Sequence, residues 1–424
     1  MRVYLDMVGC RLNQAEIERM SRQFRAAGHQ IVAEAEGADL AVVNTCAVTN
    51  QAAADSRGKL RRVERAGADH IVATGCWATL APDKAAGLPG VTRVVPNQCK
   101  DALVAESLAL PIQIFNLEPI ARQPLPGMHK RTRAFIKVQD GCDNRCTFCV
   151  TTLARGPGHS RTTGQILADI QSALNGGAKE IVLTGVHLGS WGQNSEQPAH
   201  LIDLIGTILQ DTDVPRLRLS SLEPWDLNAD FFALWKDPRL CPHLHLPLQS
   251  GCAATLRRMA RKITPDSFRE LMADARSVIP EVAITTDVIV GFPGETDQEF
   301  AESLDFIREM GFASGHAFTY SARPGTAAAR MPDQVLHPVR KQRNAQLRAV
   351  FDAAARDYAE EFLDRSLPVL WESALERGPE GWLLSGLTGN YLRVTAYAPE
   401  TRWNQIDQVH LTGLSDSGMK GKIE

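Results

Sequence analysis

Gly141-Cys142-Asp143-Asn144-Arg145-Cys146-Thr147-Phe148-Cys149 is the stretch from which the rest of the chain can be read. Three cysteines fall within eight residues, at spacings of four and three. Thiolates bind soft metals and iron–sulfur clusters. A four-iron cluster takes four ligands and this loop offers three, so one iron stays open to a small molecule. The alternatives are a zinc site or three unrelated thiols. Zinc sites usually pair their cysteines as C-x2-C with a second pair or a histidine further on, and no second pair follows here.

Outward from the loop, the chain runs to 424 residues, enough for about three domains. It is 44% hydrophobic and 22% charged, as expected of a folded globular protein. The formal net charge is −3, so any RNA binding uses local basic patches and not a global field. Met1–Asp6 reaches an acid before an apolar run develops, unlike a signal peptide, and no apolar run is long enough to span a bilayer. A cytoplasmic protein with no membrane partner is expected. Nine cysteines, an odd count, then read as ligands or buried thiols and not as disulfides.

Upstream, residues 1–125 alternate strand and helix. Strands are expected at Arg2–Met7, Asp39–Val43 and His70–Thr74, with helices over Asn13–Ala27 and Ser56–Ala66 and a short one opening at Pro82. This spacing argues an open parallel sheet with helices on both faces. Cys10, Cys46 and Cys76 each fall just past the carboxyl end of a strand, the edge where such sheets bind ligands. One such cysteine is weak evidence. Three at equivalent ends favour a second three-thiolate cluster over three buried structural thiols. Pro111, Pro119, Pro124, Pro126 and Gly127 mark a linker, which ends in the basic run His129–Arg133.

Downstream, strands are expected at Ala134–Val138, Glu180–Leu183, Arg216–Ser220, His243–Leu246, Ala283–Val290 and His316–Tyr320. Helices between them include Thr163–Leu174, Pro265–Val278 and Asp297–Met310. Six strand–helix units over residues 126–365 make a partial (β/α)6 barrel, whose active site belongs at the carboxyl ends of its strands. The cysteine loop, Thr184-Gly185-Val186-His187, Ser220–Glu223, Pro247–Gly251 and Gly291–Glu295 all fall there. Residues 366–424 change to short strands separated by turns, a small β-barrel. The fold class is therefore α/β, closed by a small all-β module.

With these residues in place, the chain resembles the radical S-adenosylmethionine methylthiotransferases over essentially its whole length. The central loop matches their C-x3-C-x2-C motif, with Phe148 as the aromatic before the last cysteine. Cys10, Cys46 and Cys76 match the domain that holds the family's auxiliary cluster. The final β-barrel resembles the RNA-contacting TRAM module. Gly9-Cys10-Arg11-Leu12-Asn13-Gln14 and Asn44-Thr45-Cys46-Ala47-Val48-Thr49 are most similar to the MtaB-type branch. That branch adds a methylthio group to C2 of N6-threonylcarbamoyladenosine beside the anticodon of tRNA. Sister branches act on N6-isopentenyladenosine in tRNA or on an aspartate of a ribosomal protein.

The resemblance implies two 4Fe-4S clusters and S-adenosylmethionine. Cys142, Cys146 and Cys149 then hold the radical-generating cluster, and Cys10, Cys46 and Cys76 the one that supplies or holds sulfur. The catalytic chemistry belongs to the clusters and not to a named side chain. Phe148, Thr184, Gly185, Glu223 and Gln249 are expected around the cofactor, with Ser250 beside Gln249. For Phe148 a core position and for Glu223 a salt bridge are the competing readings. His187 reads as a structural histidine. Implied partners are the anticodon stem-loop of tRNA, an electron donor such as flavodoxin or ferredoxin, and a sulfur source. Phosphate contacts are expected from Arg57, Lys59, Arg61, Arg62 and Arg65, from Arg257, Arg258, Arg261 and Lys262, and from the Arg340–Arg348 helix. A non-catalytic RNA-binding iron–sulfur protein remains the other class of reading; the intact cysteine loop stands against it.

Overall fold

In the computed structural model, the first strands are β1 (Arg2–Met7), β2 (Gln30–Val32), β3 (Leu40–Thr45), β4 (Ile71–Gly75) and β5 (Val91–Val95). They form one parallel sheet in the order β2-β1-β3-β4-β5. The structure describes residues 1–111, 115, 121–123, 132–194, 198–416 and 418–424. The linker residues Pro119, Pro124, Pro126 and Gly127 and the basic His129, Lys130 and Arg131 lie outside the described residues. The sheet carries α1 (Arg11–Ala26), α2 (Asn50–Arg65), α3 (Cys76–Leu80), α4 (Pro82–Ala86) and α5 (Leu103–Ser107). β3 and β4 are buried along their whole length, which is why they read as apolar runs without alternation.

The central strands are β6 (Arg133–Lys137), β9 (Glu180–Thr184), β10 (Leu217–Leu219), β11 (His243–His245), β12 (Ala283–Val290) and β13 (Ser314–Thr319). A short antiparallel pair, β7 (Gln139–Asp140) and β8 (His159–Ser160), follows the first of them. The six form two three-stranded parallel sheets, β6-β9-β10 and β11-β12-β13. Parallel bridges at Leu217–Leu240 and Ser221–His245 join these sheets, giving a partial barrel with an open side. Outside it lie α6 (Thr151–Arg155), α7 (Thr163–Asn175), α8 (Leu201–Asp211), α9 (Ala229–Phe232), α10 (Ala253–Arg258), α11 (Pro265–Val278) and α12 (Asp297–Met310). The helices easiest to place from sequence carry local signals. Thr162, Thr264 and Thr296 close capping boxes on α7, α11 and α12, and Gly311 ends α12 in the left-handed conformation.

Helix α13 (His337–Glu360) packs Leu347 and Phe351 into the central core. After it, β14 (Ser366–Gly378), β15 (Gly381–Thr388), β16 (Arg393–Ala398), β17 (Ile406–Ser415) and β18 (Gly418–Ile423) form a closed barrel around the fully buried Trp371. Three strands were not expected from the sequence: β2, β18, and β5, although the β-branched run Val91-Thr92-Arg93-Val94-Val95 carries a strand signal. Two are edge strands of the first sheet, and β18 reads Gly-Met-Lys-Gly-Lys-Ile. It is a strand because β16 and β17 both need an edge partner for the barrel to close.

Helix α1 is buried on two faces. Ile17, Met20 and Phe24 pack on the first sheet, while Ala15 packs against Phe135 and Val182 of the central strands. Its polar residues therefore meet another protein surface instead of water. Glu16, with its side chain 2% exposed, accepts from Arg155 (3.0 Å), Lys100 (2.8 Å) and Lys137 (3.3 Å). Asp140 binds the same Lys137 (2.6 Å) and Arg155 (2.8 Å). Burial pushes the Glu16 carboxyl up, but the three cations beside it hold it well below the usual carboxylate range. The network ties α1 and the Asn97–Ala102 turn to β6, β7 and α6. Replacing Glu16 by alanine leaves buried cations without their anion. The Glu16→Ala chain is expected to lose about 3–5 kcal/mol of stability, read by chemical denaturation against wild type.

Candidate active site

The parallel register of β1, β3 and β4 puts Cys10, Cys46 and Cys76 at one edge of the first sheet. Cys46 and Cys76 are buried and Cys10 is exposed. Gly9 makes the approach possible: its φ is +104°, and a Cβ there would lie 2.7 Å from the Cys46 Sγ. Ser56 pins Cys46, its Oγ accepting from the Cys46 N–H (2.9 Å) and donating to the Cys46 carbonyl (3.1 Å). Asn97 points its Nδ2 at the Cys76 Sγ (3.6 Å) and also donates to the Ala154 carbonyl (2.8 Å). Burial pushes the Cys46 thiol up to about 11, and the neighbouring Cys10 and Cys76 sulfurs add to the rise. Such crowded thiols bind a metal as thiolates, releasing protons as they do so.

The second cysteine set lies at the carboxyl end of β6. Gly141 has φ +71°, and a Cβ would sit 1.9 Å from the Pro157 carbonyl oxygen, so the loop turns against the segment after α6. The Cys142 N–H donates to Gly156 (3.1 Å), and Thr147 bonds through its N–H to Met259 (3.1 Å) and through its hydroxyl to Arg258 (2.8 Å). The Thr151 N–H points at the Cys149 Sγ (3.4 Å) and Arg261 Nη1 at the Cys146 Sγ (3.9 Å). Among the described residues no three His, Cys, Asp or Glu side chains close on a single-ion position. The donor chemistry fits a larger group: three thiols per set, with cations and N–H groups aimed at the sulfurs. Arg155, on α6 six residues past Cys149, faces the first set, its guanidinium raised well above its ordinary value despite burial, by Glu16 first and then by Cys76, Asp140 and Cys10.

The residues expected around the cofactor surround this loop in different ways. Phe148 is half-buried against the Met259, Phe292, Tyr320 and Ala328 cluster. Thr184 ends β9, buried, and its carbonyl accepts from Val138 (2.9 Å). At Gly185 a Cβ would come within 3.1 Å of Gln139. Glu223 accepts from Arg261 (2.7 Å), which also lies over Trp225. Gln249 holds φ +76° and exchanges backbone hydrogen bonds with Asp287 and Ile289 of β12. His187 is paired with Asp226 (2.7 Å). Ser250 does not line the site: it is buried and faces Ser303 on α12 and the Cys252 N–H.

Several basic residues expected on RNA are used internally. Arg261 is committed to Glu223, Arg258 to Glu299, Arg343 to Glu295 and Arg340 to the Tyr320 carbonyl. Lys59 pairs with Asp6. Arg61, Arg62, Arg65, Arg257, Lys262, Lys341 and Arg348 remain exposed. Basic helices read as one charged face in sequence, but only part of each face reaches water.

Sequence reasoning missed Gln139, which links the two strand-end loops. Its Oε1 accepts from the Val186 (3.0 Å) and His187 (2.8 Å) N–H groups, and its Nε2 donates to Asp140 and Gly141 (both 2.9 Å). Its one signal was a polar residue in an inward position just ahead of Gly141. Asn13, Asn44, Asn97 and Arg155 were missed too. Asn13, Asn44 and Arg155 lie three, two and six residues from Cys10, Cys46 and Cys149, but Asn97 is 21 residues from the Cys76 it faces. The meeting of Asn13 and Asn44 with the groups of the central barrel depends on the packing of α1 against β6.

The sequence signature of the Radical SAM superfamily matches residues 136–307, and that of an uncharacterized family, UPF0004, matches residues 2–95. The threonylcarbamoyladenosine tRNA methylthiotransferase MtaB of Bacillus subtilis is 35% identical over 422 residues, covering 96% of this chain and 93% of that protein. Its namesake in Thermotoga maritima is 34% identical, covering 98% and 96%. A tRNA-2-methylthio-N(6)-dimethylallyladenosine synthase of Bacillus anthracis is 29% identical, covering 99% and 85%. Among solved structures, the radical S-adenosylmethionine methyltransferase TsrM of Kitasatospora setae, with cobalamin and a [4Fe-4S] cluster bound, superposes with a TM-score of 0.57. It shares 15% identity and covers 77% of this chain and 76% of that one, a likeness of fold.

A side chain at Gly141 collides with the Pro157 carbonyl and is strained at positive φ. Reconstituted Gly141→Ala protein is expected to carry about four irons per chain where wild type carries about eight, measured by iron assay and absorbance.

Proposed function

This chain belongs to the MtaB-type branch of the radical S-adenosylmethionine methylthiotransferases, and from that membership we propose that it adds a methylthio group to C2 of N6-threonylcarbamoyladenosine in tRNA. The observation that carries this reading is the pairing of two three-cysteine sets on two sheets locked together by the Glu16 network. We assign Cys142, Cys146 and Cys149 to the cluster that binds S-adenosylmethionine, and Cys10, Cys46 and Cys76 to the auxiliary cluster. The division into residues 1–125, 126–365 and 366–424 belongs to the same proposal.

Adenine C2–H has no proton that a side-chain base can take, and the bound cluster and S-adenosylmethionine supply the radical chemistry that breaks such a bond. The chain's own residues position and shield. Gln139 fixes the strand-end loop of β9 against the cysteine loop, so Thr184 and Gly185 present backbone beside it. Phe148 offers an aromatic face to the cofactor's adenine. The Arg261–Glu223 pair, stacked on Trp225, orders the rim next to Cys146. Arg155 and Asn97 set polarity beside Cys76.

For tRNA, the exposed cations of α2 and α13, together with Lys420 and Lys422 of the TRAM-like barrel, supply phosphate contacts. Binding to the anticodon stem-loop then weakens with salt. An electron donor such as flavodoxin or ferredoxin and a sulfur source complete the reaction, which we place in the cytoplasm. Among the described residues, no helix is long and apolar enough to cross a membrane. Nucleoside mass spectrometry of tRNA from a deletion strain tests the reading. Methylthio-threonylcarbamoyladenosine is expected to disappear and its unmethylthiolated precursor to accumulate. Persistence of the methylthio nucleoside at the wild-type level refutes the assignment.

A further inference from the structure

Closed parallel barrels pack their inward positions with branched apolar side chains. Here the inward positions on one half are polar. Glu180 and Arg218 satisfy each other, both fully buried, with Arg218 Nε 2.7 Å from Glu180 Oε1. Beyond them lie His243, His245, Asp287 and His316, and these are only partly accounted for by internal pairing. Buried His243 leaves its Nδ1 without a partner. His316 opens to solvent at the barrel's open side, its side chain 70% exposed, and Phe318 beside it is 43% exposed. The imidazole and phenyl rings lie 6.2 Å apart and tilted by 40°, so each offers its own face on which a planar group can stack.

A continuous chain of contacts runs from this wall to the auxiliary cysteines. His316 Nδ1 meets Asp287 Oδ1 (3.1 Å), and Asp287 Oδ2 meets His245 Nε2 (3.3 Å). His245 and His243 share the Thr285 hydroxyl (2.9 and 3.2 Å). His243 stacks on Tyr391, with ring centroids 4.3 Å apart. The Tyr391 hydroxyl accepts from Arg11 Nη2 at 2.6 Å, and Arg11 follows Cys10 in sequence. Tyr391 comes from the C-terminal barrel and holds φ +70°, a conformation costly for a residue with a Cβ. Arg218 clamps that turn by donating to the Gly389 (2.9 Å) and Thr388 (3.2 Å) carbonyls. The fold therefore keeps a strained tyrosine in place and uses its hydroxyl to hold an arginine. One guanidinium nitrogen is engaged by Tyr391. An arginine held this way presents its remaining donors as a fork, the geometry that binds a carboxylate through two hydrogen bonds.

We infer that Arg11, positioned by Tyr391 and flanked by the His245–Asp287–His316 wall, binds a carboxylate and determines specificity for the threonyl carboxylate of the substrate nucleoside. This rests on the functional reading above. In that pocket the His–Asp–His wall meets the hydroxyl and amide groups of the threonylcarbamoyl substituent, and His316 and Phe318 meet the base. Arg11 is thus a specificity residue that touches substrate, and Tyr391 a positioning residue acting through it. The other carboxylate available is that of S-adenosylmethionine, and the experiment separates the two.

Binding of reconstituted enzyme is measured to three anticodon stem-loop oligonucleotides, which carry threonylcarbamoyladenosine, its threonine amide, or adenosine. Binding of S-adenosylmethionine is measured in parallel. Wild type is expected to prefer the carboxylate over the amide by about tenfold or more. Arg11→Ala abolishes that preference, Arg11→Lys restores part of it, and Tyr391→Phe reduces it, while affinity for the adenosine loop stays the same in all. His316→Gln, far in sequence from every cysteine, weakens binding of all three loops, the two substituted ones most, and keeps the test valid if Arg11→Ala disturbs iron loading at Cys10. An Arg11→Ala enzyme that keeps the wild-type preference overturns the inference. So does one that loses affinity for S-adenosylmethionine while its loop preference is intact, because the carboxylate is then the cofactor's. Mass spectrometry of the loops distinguishes the two levels. If wild type methylthiolates the threonylcarbamoyl loop and Arg11→Ala keeps the preference, only this inference falls. If wild type leaves that loop unmodified, the functional reading falls with it.

Discussion

A carboxylate with almost no access to water holds this protein's working parts in register. Glu16 stands on a helix of the first sheet and takes charges from Lys100 of that unit and from Lys137 and Arg155 of the central barrel. Asp140 completes the group. Lys137 also reaches Asp101 (3.7 Å) at the edge of this group, so the three cations face three carboxylates, and the thiols of Cys10 and Cys76 act on Arg155 as well. Buried ions stabilise only when every partner is present. The network is therefore a strict condition on the relative placement of two domains more than a source of stability. Asn13, Asn44, Asp140 and Arg155 each sit within a few residues of a cysteine, so fixing these groups fixes both cysteine sets.

The same logic appears at smaller scale around each loop. Gln139 has no charge, yet its amide bonds four backbone groups from two strand-end loops. Buried amides that satisfy backbone in this way rigidify a site because each lost bond leaves a dry unpaired group. Gly9 and Gly141 serve the complementary purpose of removing a Cβ where thiol-bearing segments approach other chain. The third module is coupled to this arrangement as well. Arg216 and Arg218 on β10 donate to carbonyls of the C-terminal barrel, and Tyr391 reaches back toward His243 and Arg11. The C-terminal barrel is thereby tied mechanically to the inner wall of the central barrel and to the start of α1.

Elements with local signals were legible. Helices α11 and α12 begin where Thr264 and Thr296 cap them, and α12 ends at Gly311, because capping is decided within one turn. The buried runs of β3 and β4 and the placement of six cysteines after strand ends followed from pattern alone. β18 was illegible because two glycines and two lysines carry no strand preference; pairing with β16 and β17 makes it one. The arginines show the same limit. Arg61 and Arg343 look alike in sequence, yet one is exposed and the other is buried on Glu295.

The sequence by itself determined the chemistry: which thiols exist, how they are spaced, and on which edge of each sheet they fall. Strand direction and the period-2 alternation of side chains are local properties, and they sufficed for that. Only the tertiary structure decided how the two cysteine sets face each other, which cations serve the interior, and that Arg11 is held by a tyrosine 380 residues away. Such pairings have no local signature, because a charge on a helix is solvated or buried according to what packs against that face. Here the polar face of α1 packs on the central barrel, and Glu16 on that face became the joint between the two sheets.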